Sequence, residues 1–151
     1  MKNKLIIGLI ILLLVIGGVW WWQVRQPDDP NVLAKSGLHW HPQLEIYVNG
    51  EKQEIPSDIG IGPQYADMPT FDSSMRMTAM HTHEDTPIIH MEFSKRVSKE
   101  DTRLGNFFKI WGKGFMEFGS TVTMSVNGTQ NTELENYEMK DGDKIELRYE
   151  N

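Results

Sequence analysis

The sequence contains no cysteine. That absence removes disulfides, iron–sulfur clusters, thiolate zinc sites, thiol redox chemistry and any lipid anchor on an N-terminal cysteine. Histidine is scarce as well: there are five, at 39, 41, 81, 83 and 90, and none elsewhere. Positive charge is in deficit, with fifteen Lys and Arg against twenty-one Asp and Glu and a formal net charge of −6. Lys2, Lys4 and Arg25 are three of the fifteen, so the rest of the chain carries twelve against twenty-one, a formal −9. An excess of this sign argues against nucleic acid as a partner and against adsorption to anionic lipid. It suits the attraction of cations, and it also keeps a domain soluble. No Ser-His-Asp signature, phosphate loop or nucleotide motif occurs.

The N-terminus has the one long apolar run. Leu5 to Trp22 is uncharged over eighteen residues, at the short end of what crosses a hydrocarbon core of ~30 Å. Lys2 and Lys4 precede it, Trp20, Trp21 and Trp22 stand where an interfacial belt belongs, and Arg25 follows. The expectation is a single transmembrane helix, N-terminus cytoplasmic and the rest outside, with the protein at the cell membrane. A cleavable signal peptide is the rival, but Trp-Trp-Trp-Gln-Val-Arg is a poor small-residue cleavage site. The chain then divides into an anchor over 1–25, a polar linker over 26–36 and an extracytoplasmic metal-binding domain over 37–151.

Within that domain, Leu44 to Val48 alternates and Asn49-Gly50 supplies a strong two-residue hairpin signal, with Glu51 to Ile55 as the return strand. Residues 57–70 are rich in Gly, Pro and Asp and read as a long loop. Ile88 to Phe93 reads as a strand with Ile89, Met91 and Phe93 on the core face and Ile88, His90 and Glu92 on the other. Leu104, Phe107, Phe108 and Trp111 have helical spacing, capped by Thr102 or Asp101 and ended by Gly112. Thr121 to Val126, a second Asn-Gly turn and Lys144 to Tyr149 complete an all-β last third. The expected class is α+β, one short helix packed on a mainly antiparallel sheet. LENYEMKDGDKIELRYE resembles the closing turn and strand of β-grasp (ubiquitin-like) domains.

The histidines carry the chemistry. In an extended segment residues i and i+2 point the same way, so His39/His41 and His81/His83 each aim two imidazoles at one place, and Pro42 biases His41 toward that conformation. If the pairs converge, four imidazoles suit Zn(II), Cu(II) or Ni(II), with His90 a fifth candidate; copper is the first expectation and zinc the second. Met75, Met77 and Met80 are spaced like a soft-ligand arm, which favours Cu(I); they serve equally as core filler. Glu84 and Asp85 are candidates for ligation, or for orienting imidazoles.

The pattern HWHPQLEIYVNG … IPSDIGIG … MHTHEDTPIIHMEF … LGNFFKIWGKGF … VNG resembles a group of uncharacterised exported or membrane-anchored prokaryotic proteins. The resemblance spans roughly residues 38–149, departs at Glu84, where the group usually has Asp, and implies no activity. Three functions follow from the residues: a metal chaperone, sensor or buffer; a His-metal enzyme with Glu84 as base; and a non-metal module using histidine as a pH switch. His39-Trp40-His41-(x)3-Glu45 also matches the core of the first cupin motif, but the flanking glycines are not at that family's spacing and no second motif follows.

Overall fold

The computed structural model describes residues 2–24 and 29–151, in two compact units, 1–30 and 31–151. In the first unit, helix α1 runs Lys2–Val24, and its described side chains, 6–8 and 11–22, are exposed. No helix among the described residues is long and apolar enough to cross a membrane. The expectation of a single N-terminal transmembrane helix is therefore overturned for the described residues. Arg25, the first linker residues 26–28 and the side chains of Lys2 and Lys4 lie outside the described residues.

The second unit is mostly sheet. Its strands are β1 (Val32–Ala34), β2 (Leu38–Trp40), β3 (Gln43–Val48), β4 (Glu51–Gln53), β5 (Phe71–Asp72), β6 (Met77–Thr78), β7 (Met80–His81), β8 (His90–Phe93) and β9 (Val97–Ser98). Helix α2 (Leu104–Trp111) follows, then β10 (Thr121–Val126), β11 (Thr129–Asn131) and β12 (Lys144–Glu150). These twelve described strands form four sheets beside one short helix. This corrects the α+β, β-grasp-like expectation. The stretch between the loop read over 57–70 and the predicted strand Ile88 to Phe93 forms the short strands β5 to β7, β8 lies within that predicted strand, and part of the expected linker is β1, paired with β9.

The largest sheet has the order β11-β10-β12-β3-β4, with β12 and β3 parallel at its centre and the other pairs antiparallel. Both Asn-Gly pairs turn as the sequence predicts: Asn49 and Gly50 have φ of 50° and 84°, Asn127 and Gly128 of 53° and 79°. Positive φ at both central residues matches the right-handed twist of the flanking strands. Leu44, Ile46, Met124, Ile145, Leu147 and Tyr149 alternate along β3, β10 and β12 and are buried in one cluster with Leu104, Phe107 and Phe108 of α2. Gly112 (φ 77°) closes α2, while neither Thr102 nor Asp101 caps it. Asp101 instead accepts from the Ser98 amide and hydroxyl, and the Thr102 hydroxyl donates to the Lys99 carbonyl.

A three-stranded sheet of order β2-β8-β7 adjoins this core. Pro42, buried and without an amide hydrogen, stands between β2 and β3. Its carbonyl accepts from the Ile89 amide, and the Leu44 amide donates to the Pro87 carbonyl, so the strand preceding the corner and the one following it are tied to the same segment. Met80, Ile89 and Met91 are at most 1% exposed and belong to the main core. The opposite face of this small sheet is left for polar side chains.

Candidate metal centre

Strand alternation builds the site. His81 pairs across the sheet with His90, and His39 with Glu92. His41 lies two residues beyond His39, and His83 two beyond His81, so all five histidines and Glu92 gather on one face while Trp40, Met80 and Met91 take the other. The rings form a continuous group with His90 at its centre. His90 lies 5.1 Å from His41, 5.6 Å from His81 and 4.8 Å from His83, centroid to centroid. His39 lies 4.6 Å from His41, and His81 4.9 Å from His83.

Two triads in this basin bring one nitrogen from each member within 4.8 Å of the others: His39, His41 and His90, and His81, His83 and His90. The two His-x-His pairs, about forty residues apart in sequence, thus meet at a shared fifth histidine.

Each side of the basin is braced from behind. His81 is fully buried; its Nδ1 donates to the Thr78 carbonyl at 3.0 Å, and its Nε2 is buried with no hydrogen-bond partner. Because a carbonyl only accepts, the Nδ1 proton leaves the Nε2 lone pair free in the neutral ring. Burial pushes the His81 pKa below its ordinary value of 6.5, and the Thr78 carbonyl opposes that shift less strongly. His90 Nε2 donates to both oxygens of Asp85 at 3.1 Å, which also holds the Asp85 carboxyl below its ordinary value. His39 Nε2 lies 3.1 Å from Glu92 Oε1, and the His41 amide donates to Asp141 Oδ1 at 2.8 Å.

The floor beneath His81 is backbone. Gly60 has φ of +79°, and a Cβ there would stand 2.3 Å from Thr78 Oγ1, 2.6 Å from the Met80 carbonyl oxygen and 3.2 Å from His81 Cβ. Only glycine permits that approach. Thr82 adds a second tie, its hydroxyl accepting from the Ile59 amide and donating to the Pro56 carbonyl. The Gly-rich segment read as a loop from sequence is the wall that positions β7.

Of the residues singled out from sequence, the five histidines come together. Met80 is 1% exposed in the core on the far side from His81, and Met77 is half-buried opposite Asp72 in the β5–β6 pair. Met75 is exposed and shares a shallow pocket with His39 and Glu92. Glu84 faces a different groove, lined with Lys52, Glu54 and Pro87, whereas its neighbour Asp85 reaches His90. Sequence reasoning gave no role to Glu92, Asp141, Thr78 or Gly60. Glu92 had a signal, since alternation set it on the His90 face; Asp141, a hundred residues from His41, had none.

No protein-family model, curated protein or solved structure matches this chain. The functional reading therefore comes from the chemistry of the basin.

Proposed function

We propose that the protein binds one transition-metal ion in the histidine basin, copper first and zinc second, and acts as a chaperone, sensor or buffer for it. The observation that carries this reading is His81 Nε2, a buried lone pair with no protein partner among the other imidazoles. A buried polar atom left unsatisfied costs about 1–3 kcal/mol, and a bound ion repays that cost directly. Ligating histidines are usually held through their second nitrogen by a carbonyl or carboxylate. His81 with the Thr78 carbonyl, His90 with Asp85 and His39 with Glu92 have that arrangement. An all-imidazole donor set suits Cu(II) and Zn(II), and copper precedes zinc because a given nitrogen site binds it more tightly. Nothing in this reading calls for catalysis, and Glu84, the base an enzyme would have needed, stands outside the basin.

The test is metal titration of full-length protein carrying no affinity tag, followed by calorimetry and by elemental analysis after gel filtration. One tightly held ion per chain is expected in wild type, with binding reduced at least about tenfold in His81→Ala, as for loss of a group that ligates or orients a ligand. Wild-type protein that retains no copper or zinc would overturn the reading.

A further inference from the structure

We infer that the basin is a two-station relay, in which an ion is captured by the outer triad His39, His41 and His90 and passed through His90 to the inner triad His81, His83 and His90. The inference rests on the metal-binding reading above and adds direction to it.

Three observations support the relay. First, the two triads share one member, His90. Asp85 already occupies its Nε2, so a single nitrogen is left to serve one ion at a time. The stations are thus alternatives, and an ion held at one displaces the claim of the other on His90. Second, exposure falls along the path. The His39 side chain is 62% exposed, His41 42% and His90 14%, and His81 at the far end is fully buried. His83 is exposed, so His81 alone makes the inner station deep.

Third, charge is unevenly distributed. Both histidines peculiar to the outer triad stand against a carboxylate, His39 against Glu92 and His41 against Asp141, while the Asp85 brace on His90 is common to both triads. The pairing partner of His81 is a neutral backbone carbonyl. Carboxylates at a solvent-facing mouth raise the local concentration of a divalent cation and its rate of encounter. An ion at the inner station gains the otherwise unpartnered Nε2 and loses water, which slows its departure. Capture and retention are thereby assigned to different residues.

The roles separate in kinetics. Tagless full-length protein is mixed with weakly buffered Cu(II) in a stopped-flow instrument and followed by quenching of Trp40, which lies between His39 and His41 in sequence; release is measured by competition with a chelator. In His39→Ala/His41→Ala the relay requires one ion per chain, an equilibrium affinity within about threefold of wild type, and capture slowed by about tenfold or more, with the salt dependence of capture reduced. In His81→Ala/His83→Ala it requires capture near the wild-type rate and release faster by about a hundredfold. In His90→Ala both rates must worsen. Circular dichroism confirms that each variant is folded, and Asn replacements at the same positions supply a second set if any alanine variant is not.

Two ions bound per wild-type chain would overturn the relay, because His90 would then serve both stations together. Equal loss of affinity in the two double variants would also overturn it, leaving a single closed shell. Each of these outcomes leaves the metal site itself standing. Absence of Cu(II) binding in wild type would overturn the relay, and absence of Zn(II) binding as well would overturn the metal site with it.

Discussion

His81 combines two opposed demands at one residue. Its ring is buried by the core, which disfavours the imidazolium, and its Nδ1 is committed to a backbone carbonyl. In the unfolded chain it titrates at its ordinary 6.5, and in the fold burial sets it lower. Between those values the unfolded chain takes up a proton that the fold refuses. The His81 contribution to apo-protein stability is therefore complete above pH 6.5 and declines as the pH falls below it. Urea midpoints measured across pH 8 to 5 should show that decline in wild type and a shallower one in His81→Asn; parallel profiles would remove the assignment. Metal affinity should drop over the same range, because protons compete for the ligating nitrogens. Asp85→Asn keeps the shape of the brace on His90 but removes its charge, and a loss of about tenfold in metal affinity is expected by calorimetry, with little change in melting temperature.

At the scale of elements, β8 is the hinge of the design. One side of this short strand places Met91 in the core, and the other presents His90 and Glu92 to the basin. Met91→Ala should cost about 2–5 kcal/mol of stability through the cavity it leaves, read as a lower urea midpoint. The β7 floor is less tolerant still. Gly60→Ala adds a Cβ against backbone and the Thr78 hydroxyl at a positive φ, and a loss of about 1–3 kcal/mol is expected. Because the clash reaches the residues that carry His81, metal affinity should fall as well, which separates Gly60→Ala from Gly50→Ala. Gly50 also has positive φ, but a Cβ there meets nothing, so its strain should lower the melting temperature and leave metal binding unchanged.

For the second unit as a whole, metal and fold should be linked. An ion held at the inner station ties β7 to β8 through His81 and His90, and it binds the folded chain in preference to the unfolded one. At a hundredfold excess over Kd the gain is about 2.7 kcal/mol, which for a unit of this size raises the Tm on the order of 10 °C. Thermal unfolding with and without Cu(II), each at matched pH, checks this. A Tm that does not move at saturating metal would show that the ion, if bound, does not bridge these strands.

The sequence by itself determined the local grammar of this protein. The Asn-Gly pairs specified two hairpins because both residues tolerate positive φ. The alternation of Ile89, Met91 and Phe93 with His90 and Glu92 specified which face of β8 is core, since side chains in a strand alternate whatever the strand pairs with. The i and i+2 spacing of His39/His41 and of His81/His83 specified that each pair points one way. It did not reveal that residues 71–81 form the short paired strands β5 to β7, because runs of two residues carry no periodicity to read; nor could the N-terminal apolar run decide a membrane span. Only the tertiary structure decided that the histidine pairs meet, that His90 stands between them, that Asp141 closes on His41 from a hundred residues away, and that Met80 faces the core. Those relations arise from strand pairing, the order β2-β8-β7, and pairing joins residues by register and backbone hydrogen bonds irrespective of their separation along the chain.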